Sequence, residues 1–405
     1  MPTDTVRERM RFEPGAAPEG FLPLCAPALH GNEWRYVKEC LDTGWVSSVG
    51  AYVDRFERAV AARAGTRHAV ALVNGTSALH LALLAAGVGP DDEVLVSDLT
   101  FIAPANAVRY AGAWPVFIDA EPAAWQIDVQ KLADFLHKEC DRRGGIVRNR
   151  ATGRRVRAVL PVHVLGHTCD MDPILEIARR FELLVIEDAT ECLGAVYKGQ
   201  HAGALGDMGC FSFNGNKLIT TGGGGMVVTD NAAWATHVKH LSTQAKADAL
   251  EYEHDEVGYN YRLTNIQAAL GVAQMEVLDE HIAAKRRIAA TYRERLSAVP
   301  GITPMPEPEW GGSVFWMYTV LVDEGQYGCD SRGLLQGLAA ASIQARPLWQ
   351  PMHLSPAHRG CQAYACETST HLYRRALSLP CSVGLTREQQ QRVIDAIARL
   401  YGGGQ

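Results

Sequence analysis

Residues 183–188 read Leu-Leu-Val-Ile-Glu-Asp, and residues 210–217 read Cys-Phe-Ser-Phe-Asn-Gly-Asn-Lys. The first is an apolar run of strand length closed by acids, which would put Asp188 at the carboxyl edge of a sheet, where α/β proteins bind ligands. The second is a strand running into a loop that carries Lys217, with a glycine-rich run behind it. Outward from this pair, runs of similar length at 68–73, 93–97, 115–119, 158–162 and 225–229 alternate with segments of helical period. In 171–180, for example, Ile174, Leu175, Ile177 and Ala178 share one face. The alternation predicts an α/β fold with a mostly parallel, seven-stranded sheet covered by helices.

Past residue 264 the pattern changes. A helical stretch dense in Ala, Glu, Arg and Leu runs to about Arg295 and stops near Pro300-Gly301. Beyond it, 314–322 reads as a strand, and 333–341 and 387–401 read as helices. The chain is long enough for two domains, and the change of pattern predicts residues 1–275 as a large α/β domain with an N-terminal arm and 276–405 as a smaller α+β domain. The segment 138–157 interrupts the alternation with seven arginines, one lysine and Gly144-Gly145. It reads as a solvated surface hairpin, or else as a basic rim that attracts an anionic substrate.

The formal net charge of −6 gives no electrostatic reason to expect nucleic acid or an anionic membrane as partner, so a small molecule is expected. Ten cysteines, from Cys25 to Cys381, contain no Cys-x-x-Cys pair and fit a reducing compartment. Arg7, Glu8, Arg9, Arg11 and Glu13 leave no apolar stretch for a signal peptide, and no run of the ~18 apolar residues of a membrane span follows. A soluble, cytoplasmic protein is the expectation.

Two further segments invite chemistry. Residues 74–78, Asn-Gly-Thr-Ser-Ala, sit between a strand and an apolar helix, where backbone amides and the helix dipole hold a phosphate; the plainer reading is an N-cap. Ser212 is a second candidate for the same phosphate. His163, His167 and Cys169 lie close together, but their spacing matches no zinc pattern, and a turn after a strand explains them; no metal is expected. Gly222 to Gly225 lacks the Lys-Ser or Lys-Thr of a nucleotide-binding P-loop.

With these segments in place, the chain resembles the DegT-type nucleotide-sugar aminotransferases among the fold-type I pyridoxal-phosphate (PLP) enzymes, the aspartate aminotransferase-like fold. The resemblance runs from about Leu22 to the last helix. It is carried by residues 74–78, 100–103 (Thr-Phe-Ile-Ala), 186–191 (Ile-Glu-Asp-Ala-Thr-Glu), 212–217, 258–265 (Gly-Tyr-Asn-Tyr-Arg-Leu-Thr-Asn) and 346–349 (Arg-Pro-Leu-Trp). It implies PLP as cofactor, with Lys217 as the Schiff-base lysine and Asp188 as partner of the pyridine nitrogen. Thr76, Ser77 and Ser212 become phosphate ligands, and Phe101 stacks on the ring. Asn260 reaches the phosphate from a neighbouring subunit, which makes a homodimer with shared sites. Glu191 stands near the phenolic oxygen, where much of the family has Gln or His, and Asn214 replaces a common His without an assigned role. Trp45, Gly50, Arg346, Trp349 and His353 are candidates for the sugar pocket. The implied reaction moves an amino group from glutamate to a nucleotide-linked keto-sugar. Within the family the chain looks most like the branch acting at C4 of UDP-2-acetamido-2,6-dideoxy-4-keto-hexose, on the route to bacillosamine and legionaminic acid. Alternatives are a dTDP- or GDP-linked sugar aminated at C3 or C4, a PLP-dependent sugar dehydratase, against which Lys217 argues, and a non-catalytic PLP-binding regulator.

Overall fold

In the computed structural model, residues 20–248 and 250–401 are described. The charged N-terminal stretch around Arg7 to Glu13, and with it most of the expected arm, lies outside the described residues. The central sheet is built from β1 (His68–Leu72), β2 (Asp92–Ser97), β3 (Trp114–Ile118), β4 (Arg155–Leu160), β5 (Leu184–Asp188), β6 (Met208–Ser212) and β7 (Gly225–Thr229). Their spatial order is β1-β7-β6-β5-β4-β2-β3. All neighbours are parallel except β7, which is antiparallel to both β1 and β6. The seven expected strands therefore form one mostly parallel sheet. Ala363–Tyr364 adds a short parallel strand beside β3.

Period-two alternation decides which face each strand residue enters. In β5, Val185 joins one apolar cluster and Ile186 another; in β6 and β7, Cys210 and Val227 pack on one side while Phe211 and Val228 pack on the other. Both faces are dry, so each strand reads as a continuous apolar run. Strand 138–157 of the sequence is an antiparallel hairpin, Cys140–Arg143 with Ile146–Asn149, laid against the outer part of β4.

Two downstream expectations need correction. The helical stretch from 264 is two helices, Asn265–Glu276 and Leu278–Leu296, separated at Val277, whose φ of −112° is not helical. The first helix is started firmly by a capping box in which Thr264 accepts from Gln267 N and the Gln267 side chain reaches back. The strand expected over 314–322 begins only at Tyr318. Residues 314–317 leave the ladder because Val314 N and the Ser313 hydroxyl both donate to Gly166 O and Phe315 takes a φ of +47°. Tyr318–Val322 belongs to a second, antiparallel sheet with Ile302–Pro304, Ala376–Leu379 and Arg346–Pro347. Helices Ser331–Ala340 and Arg387–Leu400 complete this part. Its apolar side chains are continuous with the cluster on one face of the central sheet, from Leu72 and Ile186 to Tyr318 and Ile397. No helix among the described residues is long and apolar enough to cross a membrane.

Glu187 fixes the end of β5. Its buried carboxylate accepts from Gly203 N (2.8 Å), Leu205 N (2.7 Å) and Gly206 N (2.6 Å), and from His163 Nε2 (2.8 Å). Glu187→Ala leaves one buried and two partly buried amides without an acceptor, at ~1–3 kcal/mol each. Urea unfolding should show a loss of at least ~3 kcal/mol; a loss below 1 kcal/mol would mean that the turn does not depend on this carboxylate.

Candidate active site

Three segments meet at the carboxyl edge of the sheet. The first is the turn after β1. Asn74 caps helix Gly75–Ala85 by accepting from Ser77 N at 2.8 Å, so Gly75 and Thr76 supply the first free amides of that helix, with the Thr76 and Ser77 hydroxyls beside them. Gly75 is needed for closeness: a Cβ there would stand 2.8 Å from Ser212 Cβ and 3.2 Å from Thr190 Cγ2. On the far side, a Cβ on Gly225 would stand 2.2 Å from Asn74 O. The turn is thus wedged between β7 and the end of β6, with Ser212 facing it.

The second segment is the end of β5. Asp188 is 2% exposed, and its hydrogen bonds come from Thr190, whose backbone N reaches Oδ1 at 3.1 Å. Burial pushes its pKa upward, opposed by those bonds and by the positive charge of Lys217. A buried carboxylate so placed calls for a cationic N–H partner. Three residues on, Glu191 accepts from Leu165 N at 2.7 Å and lies 3.5 Å from Lys217 Nζ. Burial raises the Glu191 carboxyl to about 7, with the Lys217 charge pulling the other way.

The third segment is the loop after β6, pinned by Phe213 N donating to Gly224 O and Thr221 N donating to Phe213 O. Lys217 sits at its centre, its side chain 14% exposed. The ammonium lies 4.0 Å over the ring of Trp316, a cation–π contact that also screens it from water. Trp316 Nε1 donates to Asn216 O at 2.8 Å, and its ring stacks at 6.2 Å on Trp349.

The chain pays for this arrangement with backbone strain. Leu165, whose amide serves Glu191, has a φ of +64°, and Phe315, next to Trp316, has +47°. Each such residue costs on the order of 1–3 kcal/mol. Gly166 lets the two meet, since a Cβ on it would stand 2.6 Å from Trp316 N.

Of the residues singled out from the sequence, Lys217, Asp188, Glu191, Ser212, Thr76 and Ser77 come together at this edge. Phe101 lies at the start of the helix after β2 and is 54% exposed, open to a stacking partner. Trp349 joins the site through Trp316. Arg346 lies on the second sheet opposite Ser378, and burial lowers its pKa. His353 is held against the end of β2 instead: its Nδ1 is 2.7 Å from Asp98 Oδ2, and its backbone N donates to Asp98 Oδ1. Trp45 and Gly50 belong to another corner, where Asn265 Nδ2 donates to Trp45 O and a Cβ on Gly50 would stand 2.3 Å from Asn265 Cγ. Asn260 is exposed and bridges to Thr243, on a segment whose Arg262 pairs with Leu72 of β1. His163 is a positioning residue: its Nδ1 accepts from Cys169 N at 3.1 Å, so the ring proton is on Nε2 and faces Glu187. Trp316, Leu165 and Gly166 carried no signal of their own in the sequence.

These donors fit PLP. Free amides and hydroxyls at Gly75–Ser77 and Ser212 suit a phosphate, the buried Asp188 suits a protonated ring nitrogen, and Lys217 suits the aldehyde.

The model of the DegT/DnrJ/EryC1/StrS aminotransferase family matches residues 27–398. The chain is 43% identical over 380 residues to a GDP-perosamine synthase of Caulobacter vibrioides, covering 94% of this chain and 98% of that one. It is 38% identical to EpsN of Bacillus subtilis, a putative pyridoxal phosphate-dependent aminotransferase, covering 93% and 95%. The crystal structure of DesV from S. venezuelae superposes with a TM-score of 0.82 at 31% identity, covering 92% and 94%.

Glu191 also sets a pH dependence. Its folded pKa of about 7 stands above the ordinary 4.5, so between these values the folded state holds the proton that the unfolded chain releases. Stability from this group falls as pH rises through that window and is flat above it. Glu191→Gln removes the effect. In unfolding experiments without added cofactor, the variant should gain on the wild type by up to ~3 kcal/mol between pH 4.5 and pH 8; a difference independent of pH would show that Glu191 is not buried as a carboxyl group.

Proposed function

Because the chain belongs to the DegT/DnrJ/EryC1/StrS aminotransferase family, we propose that it uses PLP to move an amino group from glutamate to C4 of a nucleotide-linked 4-keto-6-deoxy sugar. The observation that carries this reading is Lys217 lying 3.5 Å from the buried carboxyl group of Glu191, its charge felt by the buried Asp188, at the sheet edge that also carries Ser212 and the turn at Gly75. The bound cofactor supplies storage of the amino group between two half-reactions and a sink for the electron pair left when a proton is withdrawn.

The protein's own residues do the rest. Ser212, Thr76, Ser77 and the amides of the helix start hold the phosphate. Asp188 keeps a negative charge against the ring nitrogen, which holds the proton there. Phe101 covers one face of the ring. Lys217 Nζ takes the proton from the donor carbon as base and returns it as acid, and in the second half-reaction the same atom runs the transfer backwards. Glu191 Oε1, 3.5 Å away and near half-titrated at neutral pH, steadies the lysine through its changes of charge. Trp316 keeps water off Nζ. The domain division at 275/276 belongs to the same proposal, since it assigns Trp316, Arg346 and Trp349 to the smaller domain and Lys217 to the larger.

The nucleotide is where two lines of support part. The motif resemblance at 186–191 and 258–265 favours UDP and a 2-acetamido sugar, whereas 43% identity across nearly the whole chain to a protein named for GDP-perosamine favours GDP. We give precedence to GDP, because identity over 380 residues samples the entire pocket and two short motifs do not. With glutamate saturating, kcat/KM for a GDP-linked 4-keto-6-deoxy sugar should exceed that for the UDP-linked 2-acetamido and dTDP-linked counterparts by roughly tenfold or more, the worth of about one mispaired polar group. A higher constant for the UDP sugar would reverse the choice, and no amination of any of the three would remove the reading.

The working unit in this proposal is a homodimer in which Asn260 completes the partner's phosphate site. Its exposed position beside Thr243 supports this. Lys217→Ala should lower turnover by at least ~10³-fold, through loss of both proton transfer and cofactor attachment, and Asn260→Ala should weaken PLP binding. Mixed and subunit-exchanged, two such impaired proteins should regain activity toward a quarter to a half of wild type. No recovery after verified exchange would argue that each subunit holds a complete site.

A further inference from the structure

Behind the lysine loop lies a second charged cluster that the proposed reaction does not use. Lys285, on helix Leu278–Leu296, is 1% exposed. Its Nζ donates to Trp316 O at 2.8 Å, to Cys381 Sγ at 3.4 Å and to Cys25 Sγ at 3.6 Å. Among the described residues it has no carboxylate partner. An ammonium buried this deeply is costly without a counter-charge, and among the described residues the acidic groups it touches are the two thiols. One thiolate satisfies the site.

The geometry says which thiol carries the charge. Cys381 is fully buried and lies closer to Nζ, and it is the shared partner of Lys285 and of the Cys25 thiol. Its pKa is pulled down to about 6, first by the hydrogen bond with Cys25 and then by the Lys285 charge, against burial. Cys25 moves the opposite way and stays a thiol; it is partly exposed, and its one S–H is shared between the Cys381 sulfur and Asn216 O, the latter at 3.4 Å. The two backbones run side by side, with Cys381 N donating to Leu24 O at 2.8 Å and Ala26 N donating to Ser382 Oγ at 2.8 Å. A thiolate stabilised by a cation, with a partly exposed thiol beside it through which a small peroxide can enter, is the arrangement that reacts with peroxides.

We propose that Cys25, Cys381 and Lys285 form a peroxide-reactive dithiol site whose product is a Cys25–Cys381 disulfide. In the first step the Cys381 thiolate attacks a hydroperoxide. The S–O bond forms as the O–O bond breaks, sulfur loses two electrons to the peroxide, and the alkoxide or hydroxide leaves with a proton from solvent. In the second step the Cys25 sulfur attacks the sulfenyl sulfur. The S–S bond forms, the S–O bond breaks, and water leaves with the proton that Cys25 gave up. The disulfide withdraws the S–H donor from Asn216 O, the residue before Lys217, and deprives Lys285 of its counter-charge beneath Trp316, whose indole bonds the same Asn216 carbonyl. Oxidation therefore loosens the loop that carries Lys217. This inference stands on the cluster itself and not on the reaction proposed above.

The test treats purified holoenzyme with a few equivalents of hydrogen peroxide and maps its peptides by mass. The expected product is a Cys25–Cys381 crosslinked pair that a thiol reductant reverses. Cys25→Ser, which keeps a hydroxyl donor for Asn216, should stop at the sulfenic acid and give a dimedone adduct on Cys381. Lys285→Met should slow both reactions at least tenfold. Hydrogen exchange of the backbone amides at 214–217 should be faster in the crosslinked protein than in the reduced one. The site is overturned if Cys25 and Cys381 stay reduced while other cysteines oxidise, or if Cys25→Ser gives no adduct on Cys381. Unchanged exchange at 214–217 in fully crosslinked protein overturns the coupling to the loop.

Discussion

A lysine that must act as nucleophile and base has to be kept out of water without being neutralised for good. At Lys217 this is done by placing an ammonium 3.5 Å from one buried carboxyl group and 4.0 Å from an indole face, at the open edge of a sheet that is dry on both sides. Three local irregularities of the chain serve that placement. Leu165 adopts a left-handed conformation so that its amide can hold Glu191. Phe315 does the same so that Trp316 can lie under the lysine, and Gly166 removes the side chain that would keep the two apart. Strain of this kind persists only where surrounding structure over-determines it. Here the anchor is β5, whose Glu187 is gripped by three amides.

The alternation of Glu187 and Asp188 shows how one strand separates support from function. Adjacent residues point to opposite faces, so Glu187 is spent on the turn at 203–206 and on His163, while Asp188 is left with Thr190 alone. A one-residue shift in register would exchange the two acids and place the fully bonded one in the site. Parallel pairing of Cys210 with Asp188 and Met208 with Ile186 holds that register, and it sets Ser212 opposite Gly75 in the same stroke.

The sequence made some of this readable and concealed the rest, for physical reasons. Apolar runs buried on both faces are the strongest strand signal there is, so all seven central strands could be located, with no end off by more than three residues and 225–229 unshifted; 158–162 became Arg155–Leu160 because β4 also receives the hairpin from 138–157. Asp188 was legible because it closes such a run, and Lys217 because it lies in the loop that follows one. Trp316 was not, because an indole inside 314–322 looks like any strand residue until the fold brings it to a lysine 99 positions away. Val277 was hidden for a similar reason: a β-branched residue between two good helical segments is no breaker by propensity, and only packing shows the break. His353 read as a pocket residue, yet its ring is turned to Asp98, an acid that β2 presents from 255 residues upstream.

Lys285 illustrates the same limit with more consequence. In sequence it lies in Lys-Arg-Arg at 285–287 on a charged helix, which describes a solvated face. Arg286 behaves that way and pairs with Glu307. Lys285 instead points inward, because residues 22–26 and 380–382 close over that side of the helix. A buried cation takes whatever acid lies within reach, and here the reachable acids are thiols. The counter-charge that stabilises the helix against the second sheet is thus chemically labile in a way that an aspartate would not be. That lability sits one hydrogen bond from the carbonyl of Asn216, so the residue that supports the lysine loop is also the one that senses the state of the sulfur.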